Sequence, residues 1–169
     1  MSLEAGAGLR RSQVARGALQ PEEILTELLH LDRDLNEEAY YSERALFLNP
    51  RRSAPLGVIF ASIKEHDGPS DKSSRLSRPD VFRLSYQLTR HDYEERFGPA
   101  PPRPLKGDLV SLEQDLSVLD ELTPHPVYAW MRWVQVLSPT ARSFDSLRPS
   151  LVESLVSVRR RWDARLASQ

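Results

Sequence analysis

The sequence contains no cysteine among its 169 residues. This absence excludes disulfide bridges, thiolate zinc sites and cysteine nucleophiles together. The glycine motifs that hold nucleotide phosphates are missing as well, since no GxxxxGK[ST] or GxGxxG sequence occurs. A GxSxG nucleophile elbow is also absent. The sequence therefore carries no complete catalytic, metal-binding or cofactor-binding signature, and we predict no cofactor.

The chain also lacks a long hydrophobic run. Its longest uncharged apolar stretch, Leu56 to Ile63, is much shorter than the roughly 20 residues that span a membrane. No apolar segment accompanies Arg10, Arg11 and Arg16, as a secretory signal would require. We therefore expect a soluble cytoplasmic protein that does not associate with membranes.

Lysine is scarce, because only 3 of the 23 basic residues are lysine. The arginines that replace it offer planar, bidentate donors suited to phosphate or carboxylate groups. The net charge of −1 gives no overall field that would attract nucleic acid. A local basic area is expected only if Arg10, Arg11 and Arg16 meet the run Arg159–Arg161, which Glu153 and Asp163 dilute.

The length predicts one domain. Residues 1–19 lack periodicity and are expected to form a disordered or loosely attached arm, followed by a single α+β domain over 20–169. A helix should begin at Pro21, with an apolar stripe at helical spacing. The patterns beyond it predict strands at Arg44–Leu48, Leu56–Lys64 and Trp130–Leu137, and a mobile loop at His66–Ser77. They also predict short helical segments at His91–Phe97, ended by Gly98, and within Leu112–Leu122. A final helix is expected at Leu147–Leu166, with Pro149 in its first turn.

The clearest strand is Val81 to Thr89, which alternates strictly between apolar and polar residues. Such alternation is typical of an antiparallel sheet covered on one side. We therefore predict an α+β fold in which a small antiparallel sheet of about four strands has helices packed on one face.

Three segments resemble an uncharacterised bacterial domain family. Residues 78–84 (RPDVFRL) resemble its RPGVFRLN segment, and 125–139 resemble its HPVYA…WVCVLNP segment. Residues 144–149 (FDSLRP) resemble its TFDEVRPLL helix start, and Ser85 departs from the family's usual Asn. The resemblance covers about residues 20–162 and implies kinship and fold, but no activity.

A more distant resemblance is to the YjbR-like α+β domains, in which a strand that begins with Trp precedes a C-terminal helix. That resemblance implies a YjbR-like outline and, by analogy of fold alone, DNA binding.

His125 is the most prominent candidate for chemistry, because Pro124 and Pro126 stiffen the backbone on both sides of it. A rigid imidazole can act as a general base or as a donor that orients a ligand. The simpler interpretation is a histidine that caps the preceding turn or bonds to a backbone carbonyl.

The polar face of the alternating strand is the second candidate. Arg83, Ser85, Gln87 and Arg90 offer donors to an anionic ligand, a nucleic-acid backbone or another protein, or they form a solvated sheet face. The nearby Tyr128 and Trp130 could stack on a flat ligand, although core packing is the alternative. Strand alternation would place them on one side and Trp133 on the other.

The only metal candidate is a fragment. His91 and either Glu94 or Glu95 are spaced to share one face of a helix, with His125 as a possible third ligand. The alternative is an exposed acidic first turn of that helix.

Three hypotheses follow. The preferred one is a non-catalytic binding or interaction domain, with a small anionic ligand or a protein as partner. The second is an enzyme in which His125 is the base and Arg83 orients an anionic substrate. The third is a DNA-binding domain. No pattern in the sequence fixes the oligomeric state.

Overall fold

A computed structural model describes residues 12–169, and this part of the chain folds into one six-stranded antiparallel sheet and three α-helices. The strand order is β1-β2-β3-β4-β6-β5. The strands are β1 (Leu35–Tyr40), β2 (Glu43–Leu48), β3 (Val58–Lys64), β4 (Arg83–Gln87), β5 (Leu122–Pro124) and β6 (Trp133–Leu137); the helices are α1 (Pro21–Leu29), α2 (Arg90–Phe97) and α3 (Ala141–Ala167). The predicted α+β class with an antiparallel sheet is confirmed, but the sheet has six strands instead of about four.

The two additional strands lie at the edges of the sheet. β1 has the sequence LNEEAY with a single buried residue, and β5 has only three residues and ends in Pro124. Edge strands tolerate charge and proline because one side of their backbone is unpaired. Neither therefore shows the alternation that marks a central strand. The helical turns expected within Leu112–Leu122 are wrong, since no helix forms there.

The predicted strand at Trp130–Leu137 begins later than expected. Ala129–Met131 form a single 3₁₀ turn, and Arg132 adopts a left-handed conformation with φ of 64°. β6 consequently starts at Trp133. The alternation that would set Tyr128 and Trp130 opposite Trp133 therefore does not apply.

The final helix begins earlier than expected, at Ala141 instead of Leu147. Thr140 caps it, because the Thr140 side chain accepts a hydrogen bond from the backbone N–H of Ser143 at 3.2 Å. Pro149 consequently lies inside the helix and not in its first turn. Among residues 12–169, α3 is the only helix long enough to be considered as a membrane span. It is not apolar enough to cross a membrane.

One face of the sheet carries the main apolar core. Leu46, Ile63, Leu84 and Val136 alternate onto this face, where α3 packs against the three strands β2, β3 and β4. α1 contributes Ile24, Leu25 and Leu28 to the same core, and α2 contributes Tyr93. The three helices thus contribute to the core on the apolar face of the sheet, as the alternation of apolar and polar residues predicted.

The opposite face is polar but not solvated. Arg83 and Ser85 of β4 are 0% and 1% exposed, although the alternating pattern indicated a wet face. Residues 65–80 cover it, and the Ser74 side chain donates to Gln135 Oε1 on β6 at 2.7 Å. The segment expected to be a mobile loop is thus tied to the sheet.

A β-bulge in β3 places an apolar side chain on this polar face. Leu46 pairs with Ala61 but Phe47 pairs with Ile59, so Phe60 is an extra residue in β3. Phe60 and Ala61 both join the core, which turns Ile59 toward the polar face.

Residues 1–11, with Arg10 and Arg11, lie outside the described part of the chain, so most of the predicted arm has no structural account. Within that arm, Leu19 donates its backbone N–H to Pro139 O at 2.9 Å and packs against the core.

Candidate functional site

The loop-covered face of the sheet contains a cavity of about 330 Å³ beside His125. We call it the His125 cavity. Its lining divides into apolar or aromatic residues (Tyr40, Tyr41, Ile59, Tyr128, Met131, Trp133) and polar residues (Glu43, Ser62, Gln87, His125, Arg161). This volume is at the lower end of the range of about 300–1,000 Å³ that is usual for small-molecule sites.

His125 is held rigidly in the wall of this cavity. It is 2% exposed, and its Nδ1 accepts hydrogen bonds from the backbone N–H groups of Val127 at 3.0 Å and Tyr128 at 3.1 Å. The ring therefore caps the turn that follows it and leads into the 3₁₀ segment, whereas the simpler interpretation of the sequence expected it to cap the preceding turn. Because Nδ1 is an acceptor, the proton of the neutral ring resides on Nε2.

The surroundings of His125 favour its neutral form. Burial, together with the nearby positive charge of Arg83, holds the pKa of His125 well below its ordinary value. No residue in the described part of the chain accepts a hydrogen bond from Nε2. His125 can therefore offer a ligand one N–H donor, and this tautomer does not suit the general base of the enzyme hypothesis.

Arg83 is engaged within the protein. Its guanidinium donates to both carboxylate oxygens of Asp71, with Nη1–Oδ1 at 2.9 Å and Nη2–Oδ2 at 2.6 Å. Lys64 also binds Asp71 at 2.9 Å, and Glu43 lies 3.5 Å from Arg83. Two cations and two anions thus form a cluster without net charge. Arg83 was expected to orient an anionic substrate, but it is fully buried and already neutralised.

The other residues predicted on the polar face, Ser85 and Gln87 of β4 and Arg90 of α2, differ in their access to the cavity. The Ser85 hydroxyl is buried and has no hydrogen-bond partner among the described residues. Gln87 lines the cavity and donates through Nε2 to Met131 O at 2.7 Å, which leaves its carbonyl oxygen for a ligand. Arg90 is exposed at the start of α2 and is not part of the lining.

Of the two aromatic residues predicted to stack on a ligand, only one lines the cavity. Tyr128 is 44% exposed at the cavity wall, where its ring centroid lies 5.1 Å from that of His125. Trp130 is not in the lining; it packs under Arg103, whose Cζ is 4.7 Å from the indole centroid. Trp133, expected on the opposite side, lines the cavity.

The metal candidates remain apart from this site. His91 and Glu95 are 88% and 70% exposed on α2, with Nε2 3.7 Å from the carboxylate, and Glu94 is exposed as well. His125 is buried and already bound to two backbone amides. Among residues 12–169 no group of three or more His, Asp or Glu side chains is placed to hold a metal ion.

Several lining residues escaped prediction. Tyr40 and Tyr41 stand at the β1–β2 turn, and an aromatic pair before Ser42 is the only local signal for them. Arg161 comes from the arginine run, and its neighbour Arg159 behaves differently, since it binds Asp32 and Asp34. The spacing of arginines along a helix does not predict which of them forms a salt bridge with a carboxylate of another segment.

A second depression, of about 440 Å³, lies between α1 and α3. It is more open, and two of its charged residues, Glu27 and Arg148, pair with each other at 3.0 Å. It therefore offers a ligand fewer unengaged polar groups than the His125 cavity.

Comparison with known proteins gives a family but no activity. A family model described as a family of unknown function, DUF6194, matches residues 19–167. No curated protein and no solved structure matches the chain. The expected kinship with an uncharacterised domain family is confirmed, and the resemblance to the YjbR-like domains stays a prediction.

Proposed function

Since this chain belongs to DUF6194, a family of unknown function, we propose from the cavity alone that it is a non-catalytic domain that binds a small, flat ligand. The proposed setting is a bacterial cytoplasmic protein: the resemblance of the sequence implies the bacterial kinship, and the cytoplasmic location is the expectation stated from the sequence. The ligand would occupy the His125 cavity, with its flat part between the aromatic side chains.

One observation carries this proposal: polar groups with unused hydrogen-bonding capacity stand in a mainly apolar wall. His125 has Nε2–H left to donate, and Gln87 has its carbonyl oxygen left to accept. Tyr128, Met131 and Trp133 supply apolar surface beside them. Small-molecule sites typically combine such walls with a few convergent polar groups.

Binding is favoured over catalysis because the serine hydroxyl of the lining and the carboxylate beside it are both engaged by other groups of the protein. Ser62 is the only hydroxyl of a serine in the lining, and it donates to Glu43 Oε2 at 2.6 Å. That carboxylate lies within 4.0 Å of both Arg83 and Lys64. Glu43 is therefore engaged by Ser62 and by the two neighbouring cations, and the Ser62 hydroxyl by Glu43.

A neutral two-ring amide, 2-naphthamide, tests this proposal by titration calorimetry. We expect saturable one-to-one binding to the wild-type protein. Ile59→Trp should abolish the binding because the indole fills the cavity. Val152→Trp is the matched control, since Val152 is 46% exposed on α3 and is not in the lining.

Two results would reject the proposal. One is the absence of binding both by 2-naphthamide and by its anionic counterpart 2-naphthoate at every accessible probe concentration. The other is binding that Ile59→Trp leaves unchanged while the variant retains its wild-type circular dichroism spectrum.

A further inference from the structure

One arginine that lines the His125 cavity has no carboxylate partner in the described part of the chain, and neither has a second arginine that lies in the chain between two lining residues, Met131 and Trp133. Arg161 lines the cavity from α3, and Arg132 stands between the 3₁₀ turn and β6. Neither guanidinium lies within 4.0 Å of an Asp or Glu of residues 12–169, whereas Arg44, Arg83, Arg148 and Arg159 all do.

Arg132 is fixed at this place by its backbone. Its N–H donates to Ala129 O at 2.8 Å, and its carbonyl accepts from the Leu88 N–H at 3.0 Å. The Nε atom of its side chain is buried without a hydrogen-bond partner. An unpaired guanidinium nitrogen out of contact with water is costly unless a ligand completes it.

Arg161 reaches the cavity from the end of α3. One turn further along, Arg165 donates to Leu56 O at 2.9 Å, which holds this end of the helix beside the start of β3. Desolvation and the nearby charge of Arg132 lower the pKa of Arg161. The charge of Arg132 therefore acts on Arg161, and because neither arginine has a carboxylate partner among the described residues, the positive charge at this edge of the cavity favours an anion.

The rest of the cavity does not cancel this charge. Glu43, the carboxylate in the lining, already belongs to the neutral cluster with Asp71, Lys64 and Arg83. The excess charge near the cavity is therefore positive and located at Arg132 and Arg161.

We infer that the ligand is an aromatic anion whose carboxylate or phosphate oxygens bind Arg161 and Arg132 while its ring occupies the His125 cavity. Guanidinium groups bind both kinds of oxyanion through paired, charge-assisted hydrogen bonds. This inference rests on the proposed function, because it names the chemical class of the ligand of the same cavity.

Three probes that share one ring system test the inference: 2-naphthoate, 2-naphthyl phosphate and the neutral 2-naphthamide. We expect at least one anion to bind the wild-type protein about tenfold more tightly than the amide. Whichever anion binds more tightly identifies the headgroup that the site prefers. The preference should diminish as salt is added, since salt screens the charges.

Single variants locate the effect. Arg161→Gln should remove most of the anion preference, measured as the ratio of the anion affinity to the 2-naphthamide affinity of the same variant, and Arg132→Gln should do the same. Arg160→Gln is the matched control, because Arg160 is the adjacent exposed arginine of α3 and is not in the lining. Arg161 is also exposed, so its substitution should leave the fold intact.

The outcomes separate this inference from the proposed function. If neither the amide nor the anions bind, the proposed function itself fails. If the amide binds as well as both anions, or if Arg161→Gln and Arg132→Gln leave the anion preference unchanged, the cavity binds ligands but the inference is overturned.

Discussion

Arg83 and Asp71 form a two-point ion pair in the interior, with nitrogen–oxygen distances of 2.9 and 2.6 Å. Arg83 belongs to β4 and Asp71 to the segment that covers the polar face of the sheet. The pair therefore holds that segment in place and takes Arg83 away from any ligand. This leaves Arg161 and Arg132 as the arginines available to the His125 cavity.

The first prediction concerns this ion pair. Asp71→Asn leaves Arg83 buried with only the more distant Glu43 for compensation, so we expect a loss of about 3 kcal/mol in the free energy of unfolding. Urea denaturation measures it. Glu27→Gln is the control: it breaks the exposed pair with Arg148 and should cost less than about 1 kcal/mol. Equal losses in the two variants would show that the interior pair is not special.

The same pair predicts sensitivity to acid. Burial alone would raise the pKa of Asp71, but the hydrogen bonds and charges of Arg83 and Lys64 outweigh it, so the net shift is downward. A carboxyl with a lowered pKa in the folded state stabilises the protein above its unfolded pKa of about 3.9 and loses that effect below it. The wild-type protein should therefore lose more stability than Asp71→Asn as pH falls from 5 to 3. An equal loss of unfolding free energy in the two proteins between pH 5 and 3 would contradict this prediction.

A second pH effect is expected from His125. Its folded pKa is well below 6.5, so the unfolded chain takes up a proton that the folded protein does not. Stability should then fall with decreasing pH, by roughly 1 kcal/mol between pH 7.5 and 5.5 from this group alone. His125→Asn retains an oxygen that can accept from the turn amides but does not titrate.

The comparison is made on slopes. Unfolding free energies of the wild-type protein and His125→Asn are measured at both pH values, and the wild-type loss should exceed that of the variant by the amount above. An identical loss would mean that His125 titrates normally in the folded protein.

Gln87 supplies a prediction about hydrogen bonding to the ligand. Gln87→Met keeps the length of the side chain but removes its carbonyl oxygen, so we expect the affinity for 2-naphthamide to fall about five- to tenfold. Binding of naphthalene, which has no N–H, should not change. A uniform change for both probes would indicate a rearranged cavity and not a lost hydrogen bond.

DNA binding is predicted to be absent. Arg148 and Arg159 are paired with carboxylates of α1, α3 or the segment before β1, so these two arginines are not free to bind phosphates. We expect no retardation of a short DNA duplex at about 50 mM salt. A band shift that weakens steeply with added salt would restore the DNA hypothesis.

The strands that could be predicted are those in which local pattern and burial agree. β4 alternates because one of its faces meets the core, and Gly98 ends α2 where the sequence indicates. β1 and β5 were missed because edge strands need little apolar surface. The early start of α3 depends on the Thr140 cap, a single hydrogen bond that hydrophobic periodicity does not register.

The site was predictable in part. The two prolines around His125 singled out this residue, and the structure places its ring in the wall of the cavity. The burial of Arg83 was not predictable, because it depends on Asp71, twelve residues away in a segment that lacks hydrophobic periodicity. The availability of Arg161 depends likewise on which carboxylates its neighbours bind, and that is a property of the tertiary structure.

The most direct test of ligand binding in the His125 cavity uses the methyl group of Met131. The sequence has two methionines, so protein labelled with ¹³C at the methionine methyl groups gives a simple spectrum, and Met131→Leu identifies the Met131 signal. Titration with 2-naphthamide should shift this signal saturably, with nuclear Overhauser effects from the probe's ring protons to the methyl group. A Met131 signal that stays unchanged while the probe is raised to its solubility limit would contradict the account.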